Sequence, residues 1–227
     1  MKKILGLISG ALLWSMTLVP ANADFGAGVS LMVGELETDG TETEKAVTGV
    51  TSQKTSKTLK EGFYGASVYA EYRFDNRVAF GVEYVPMDLD VGAEKRTDTS
   101  ADADVASEAD TGERKADAVV QDLMNYYLRL PVPTTDSMYV KLGYMDADVT
   151  INETLPTSSY GNTTLEGIEY GIGLQSESGR ARFELAYADF DEISVTATGN
   201  TIANDVTGQN KVSADADSIQ ARFSFGF

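Results

Sequence analysis

Whatever chemistry this chain of 227 residues could perform must come from carboxylates, because it contains 35 Asp and Glu but neither histidine nor cysteine. A hydroxyl nucleophile needs a base that titrates near neutrality, usually histidine. Thiolate and disulfide chemistry are absent altogether. Paired carboxylates can cleave glycosidic bonds, but with so many acids a pair in sequence identifies nothing, and the chain reads as a non-enzyme. A recurring pattern stands out: Asp88/Asp90, Asp102/Asp104, Asp146/Asp148, Asp189/Asp191 and Asp215/Asp217 are all Asp-x-Asp. In extended chain both carboxylates of such a pair point the same way, and oxygen clusters suit hard divalent cations such as Ca²⁺. Asp88, Asp90, Asp146, Asp148, Asp189 and Asp191 are therefore candidate cation ligands. No stretch has the spacing of an EF-hand loop, so the simpler expectation is a solvated acidic rim with no bound cofactor.

A second set mixes signs. Glu71, Glu83, Glu169 and Glu184 alternate with apolar neighbours, and Arg73, Arg129, Lys141, Arg182 and Arg222 do the same. Two arrangements would use them, a paired network filling an interior or a charged pore lining. The glycines Gly26, Gly28, Gly65, Gly81, Gly143, Gly167, Gly171 and Gly173 fall on the same faces as these charges. Their spacing fits no phosphate-binding loop; they make room for long neighbours. With 18 basic residues against 35 acidic and a net charge of −17, nucleic acid is excluded as a partner, because phosphate binding needs basic surface. The Asn-x-Thr sequences at Asn152 and Asn162 are read as chance matches to a glycosylation motif.

The elements that would position these residues are strands. The chain opens with Lys2 and Lys3, an apolar run from Ile4 to Val19, and Ala21-Asn22-Ala23. That is the layout of a cleaved secretory leader, so residues 1–23 are expected to leave and 24–227 to form one domain. Beyond it, period-two alternation predicts eight strands. Phe25–Gly34 puts Val29, Leu31 and Val33 on one face. Gly62–Phe74 puts Tyr64, Val68 and Tyr72 out, with Tyr69, Glu71 and Arg73 in. The third strand, from Val78, ends near Pro86, which cannot donate to a ladder. Val119–Leu130 and strands beginning near Met138, Gly167 and Arg182 follow. The last, Ser218–Phe227, alternates Ile219, Ala221, Phe223, Phe225 and Phe227 with small or polar residues.

Short connections (Asp75–Arg77, Pro131–Ser137, Ser176–Arg180) alternate with long ones (Glu35–Glu61, Met87–Ala118, Met145–Leu165, Asp189–Asp217). Phe74, Phe80, Phe183 and Phe227 fall toward one end of the strands; Tyr64, Tyr84, Tyr144, Tyr170 and Tyr187 fall toward the other. Apolar outer faces, two aromatic girdles and short–long alternation describe an eight-stranded antiparallel up-and-down transmembrane β-barrel. A barrel of that size is wide enough only for its own side chains or one small ligand. The mixed charges are therefore expected to form an ion network rather than line a pore.

On its terminal Phe227, its strand patterns and the run Leu142-Gly143-Tyr144-Met145-Asp146-Ala147-Asp148, the chain resembles the small outer-membrane barrels of the OmpA transmembrane, OmpX and opacity-protein type. The resemblance covers the barrel, and a peptidoglycan-binding domain like that of full-length OmpA is not expected. The resemblance implies the outer membrane of a Gram-negative bacterium, with both termini periplasmic. It implies contact with membrane lipid and lipopolysaccharide, and recognition by the barrel assembly machinery through Phe223, Phe225 and Phe227. The expected role is structural or interactive, displaying acidic external loops to a partner that the residues do not identify. A small porin-like channel or solute binder is the alternative. Removing Phe227, or replacing it with Lys, is expected to leave folding into lipid vesicles nearly normal, since a charge near the interface costs only about 0–1 kcal/mol. Membrane levels in cells should fall sharply; unchanged levels would show that Phe227 is no assembly signal.

Overall fold

The computed structural model describes residues 24–44, 53–98, 112–154, 159–196 and 211–227; the expected leader, together with Asp102 and Asp104, lies outside them. The described residues form nine strands: β1 (Asp24–Glu44), β2 (Gln53–Arg73), β3 (Ala79–Val85), β4 (Leu89–Asp98), β5 (Gly112–Pro131), β6 (Met138–Thr154), β7 (Thr163–Gln175), β8 (Ala181–Thr196) and β9 (Lys211–Gly226). Every pairing is antiparallel, and the sheet closes on itself. β9 pairs with β1 from Gly28↔Gly226 to Thr43↔Lys211. At the other join, β3 lies between β2 and β5. β5 pairs with β3 over Leu123–Arg129 and with β4 over Gly112–Val120. β3 and β4 thus share one stave, and the ring has the eight staves expected from the sequence.

Closure matters because lipid offers no partner to a free N–H or carbonyl. Within the lipid-facing half the predicted faces hold without exception. Leu31, Val33, Tyr64, Phe80, Ile172, Leu185, Ile219, Phe223 and Phe225 point outward and are exposed; Ser30, Ser67, Glu71, Glu83, Lys141, Glu169 and Arg222 point inward and are buried. Asp24, Phe227 and the short turns share one end of the barrel, the turn end. Its turns are built locally. Asn76 Oδ1 accepts from Val78 N at 3.1 Å, and Arg77 and Gly179 take φ of 68°.

The predicted strand limits need correcting at the far end. β1 and β2 run 21 residues each, about twice the 9–11 that a tilted membrane strand needs. Most of the expected loops Glu35–Glu61, Met87–Ala118, Met145–Leu165 and Asp189–Asp217 are strand. The alternation continues through them with its polarity reversed. Leu36 and Thr38 are buried, as are Met145, Ala147 and Val149, and so are Ala188 and Phe190. The acids between them, Glu37, Asp39, Asp146, Asp148 and Asp189, take the outer face. A wall in water must turn its apolar side inward, whereas the same wall in lipid turns it outward, so a search for apolar outer faces stops where the membrane stops.

The third stave carries a further difference. β3 ends at Val85, next to Pro86 as expected, but the stave does not end there: after a gap it resumes as β4 at Leu89. Opposite this gap β5 bulges between Gln121 and Met124. Asp122 adopts a φ of 54° there and accepts a 2.6 Å hydrogen bond from the Tyr84 hydroxyl.

Candidate functional site

The lumen is filled from the turn end upward in layers. The first is organised on Glu71 of β2, which is 2% exposed. Arg129 Nη2 donates to both of its oxygens at 2.8 and 3.0 Å. Arg182 Nη1 donates at 2.9 Å, Arg182 Nη2 makes a second contact, and Arg73 Nη2 approaches at 3.1 Å. One carboxylate therefore faces three guanidinium groups, and the set carries an excess of two positive charges.

The second layer reverses the balance. Lys141 Nζ lies 2.8 Å from Glu169, 3.2 Å from Glu83 and 3.3 Å from Glu184. Arg222 reaches the same three acids, at 2.9 Å for Glu169, 2.6 Å for Glu184 and 3.2 Å for Glu83. Three carboxylates with two cations leave one negative charge. Neutral donors complete Glu169: Asn125 Nδ2 and Gln220 Nε2 each donate at 2.7 Å. Ser67 Oγ donates to Glu83. Such pairing is required, because removing an ion from water costs several kcal/mol that only close partners offset.

Tyrosines lock the layers together. The Tyr127 hydroxyl donates to Glu71 at 3.2 Å, while Lys141 sits 4.6 Å from its ring centroid. Tyr139 does the converse, donating to Glu184 at 3.1 Å under Arg129, 4.8 Å away. Arg182 stacks 4.9 Å over Tyr69. Cation–π contacts of this kind strengthen when desolvated. The rings lie flat against glycines: a Cβ on Gly173 would stand 2.3 Å from the Tyr139 ring, and one on Gly81 would stand 2.5 Å from Tyr127. The space left among these side chains is about 10 Å³, the volume of roughly one water-sized probe.

All nine charged residues singled out in the sequence are thus brought together, with Arg73 at the edge. Period-two alternation puts Tyr69, Tyr127, Tyr139 and Asn125 on the inner face but assigns them no role. The missing signal was the pairing of each bulky inward residue with a glycine on a neighbouring strand, which needs the register. The cation-ligand candidates do not converge. Asp146 and Asp148 lie on β6, Asp189 and Asp191 on β8, and Asp88 and Asp90 at the break before β4 and in β4. Among the described residues no three acidic side chains are grouped so as to hold a metal ion. Phe223, Phe225 and Phe227 all face outward and are exposed.

Above the ionic layers the lumen becomes apolar. Met32, Leu36, Val85, Leu123, Met145, Val149, Leu165 and Phe190 pack into one cluster. Beside it β2 and β4 lie next to each other without a backbone ladder. The β2–β3 ladder stops at Val68↔Tyr84, and β4 pairs with β5. Among the described residues no ladder joins β2 to β4. Met87 fills the seam, its Sδ accepting from Ala66 N at 3.1 Å and lying 3.1 Å from where a Cβ on Gly65 would be.

Replacing Arg222 with Ala leaves Glu169 and Glu184 short of a partner in a closed lumen. The expected loss is about 3–5 kcal/mol, read as a lower urea midpoint for unfolding from lipid vesicles. A midpoint equal to wild type would mean that the lumen is wet enough to solvate those acids.

No known family model matches this chain, and no curated protein matches it. Solved structures do. The chain is similar to the outer membrane protein OprG from Pseudomonas aeruginosa at 16% identity, over 89% of this chain and 97% of that one, with a TM-score of 0.46. It is similar to the outer membrane protein AlkL, determined in DMPC bilayers, at 11% identity over 92% and 93% of the two chains, TM-score 0.44. It is also similar to Ail, the attachment invasion locus protein of Yersinia pestis, at 12% identity over 88% and 99%, TM-score 0.32. All three are small outer-membrane β-barrels.

Proposed function

We propose that this chain is an outer-membrane barrel of a Gram-negative bacterium, oriented with its turn end in the periplasm. In this reading it takes small apolar solutes into its outer half and releases them sideways into the membrane, without conducting ions along its axis. The observation that carries the reading is the seam between β2 and β4 beside an apolar interior. An apolar solute entering from outside meets the Glu–Arg–Lys layers as a floor. Passing them would mean parting buried ion pairs, which costs several kcal/mol. The seam begins at Tyr84, in the tyrosine girdle, so it opens where outer wall gives way to lipid. Methionine is a flexible, polarizable side chain suited to a movable plug, and it is the residue that occupies the seam. The sealed floor also argues against the porin-like alternative.

A second reading, closer to the expectation of a surface-interaction protein, rests on the outer wall above the girdle. Glu37, Asp217 and Asp189 line up across β1, β9 and β8, and among the described residues Lys60, 2.7 Å from Glu37, is the cation that offsets them. Partial loss of water, with Glu37 and Asp189 alongside, raises the Asp217 carboxyl above its ordinary value. Such a wall favours basic or cationic partners.

Orientation is checked by single-cysteine labelling, which the cysteine-free chain makes clean. A membrane-impermeant maleimide should label Thr41→Cys in intact cells and Ser178→Cys only after the outer membrane is opened; the reverse pattern refutes the assignment. For transport, Gly65→Phe fills the inner mouth of the seam against the movable end of Met87. Vesicles carrying the wild type should take up an apolar fluorescent probe several-fold faster than those carrying Gly65→Phe, and both should be electrically silent in planar bilayers. Equal uptake, or steady ionic conductance, would overturn the proposal.

A further inference from the structure

The lumen has a second opening, and its chemistry is opposite to that of the apolar half. At the turn end a cavity of about 380 Å³ is lined by Arg73, Arg180 and Arg182, with Tyr69, the Ser178-Gly179 turn and the end of the closing strand at Gly226-Phe227. Its acidic lining side chain is Asp24, which is mostly exposed and touches Arg73 at 3.4 Å. The layer behind it is the one in which Glu71 alone faces Arg73, Arg129 and Arg182. The positive excess of the lumen is therefore concentrated at this mouth, while the negative excess lies deeper.

The mouth is built rather than incidental. Arg182 Nε donates to Gly179 O at 3.1 Å. The positive φ of Gly179 lets the turn lie against Arg73, whose Nη1 would stand 2.7 Å from a Cβ at that position. Two buried donors there are left without partners, Arg73 Nε and the hydroxyl of Tyr69, a residue only 5% exposed. Buried donors of this kind normally have an acceptor. Arg180 makes no ion pair with any described residue. Guanidinium forks match the paired oxygens of phosphate and carboxylate, and a desolvated charge-assisted hydrogen bond is stronger than a neutral one.

We infer that this vestibule is a binding site for a small oxyanion, a phosphate or carboxylate group, held by Arg73, Arg180 and Arg182 with the Tyr69 hydroxyl as a fourth donor. The proposal stands apart from solute passage at the other end, since it uses none of the seam or apolar residues. A phosphate group could arrive as a free solute or as the headgroup of a lipid in the adjoining leaflet.

The test is calorimetric titration of the full folded chain in nanodiscs with inorganic phosphate. Saturable binding is expected, weakened about tenfold or more by Arg180→Ala, which removes one charge-assisted contact. Arg180 is exposed on a turn and takes no part in the ionic layers, so the variant should fold. Tyr69→Phe should also weaken binding, whereas Arg77→Ala, on another turn, should not. Nanodiscs of phosphatidylglycerol and of phosphatidylcholine separate the sources. Loss of phosphate binding only in the former assigns the site to an anionic lipid headgroup; equal binding in both assigns it to a free anion. No saturable binding in either lipid, or binding indifferent to Arg180→Ala and Tyr69→Phe, would overturn the site.

Discussion

Ion pairing across the lumen is the constraint on which the rest of the barrel depends. Glu83, Glu169 and Glu184 come from β3, β7 and β8, and Lys141 and Arg222, which join them, come from β6 and β9. Glu71 ties β2 to β5 and β8 in the same way. The backbone ladder holds each stave only to its neighbours, but these contacts run across the interior and fix the diameter. A wider ring would separate the charges, and at low dielectric that separation is costly. A narrower one would leave no room for the tyrosine rings, which already occupy the places where glycines have no side chain. Charge, ring and glycine therefore specify one register together, and a strand slipped by a single residue would put a buried carboxylate into lipid.

The barrel changes solvent partway along its length, and its side-chain pattern changes with it. In the lower half lipid lies outside and ions lie within. In the upper half the outer wall is acidic and the interior holds Met32, Leu36, Val149 and Phe190. The backbone treats both halves alike, since β1 pairs with β2 without interruption from Asp24 to Glu44. Only the environment of each face has been exchanged. Apolar side chains leave water in both halves, into lipid below and into the lumen above.

One stave breaks this continuity at the boundary. Pro86 interrupts the third stave at the level of the girdle, and among the described residues β4 resumes with a ladder to β5 but none to β2, which lies beside it. An unpaired strand edge is a liability in water and is not tolerated facing lipid. Placing the interruption where lipid gives way to water is the position at which an open seam is least costly. It is also where an apolar interior and an apolar surroundings come closest together.

Alternation in the sequence was enough to determine the barrel, its eight staves, its short turns and the direction of every side chain in the membrane half, because lipid enforces period two through the whole of each strand. It also supplied the members of the ionic network, from Glu71 to Arg222, since charges flanked by outward apolar residues must face the lumen, where the narrow bore favours a network over a pore lining. Three features were decided only by tertiary structure. Strand length was one: beyond Gly34 or before Gly62 the apolar face turns inward, and no local signal distinguishes a water-facing wall from a loop. The partition of the charges was another, with three arginines on Glu71 and three acids on Lys141 and Arg222, because pairing depends on the heights at which different staves cross the lumen. The third was the seam. Pro86 marks a break in one strand, but whether the neighbouring edge finds another partner depends on where β2 and β4 lie after the ring has closed.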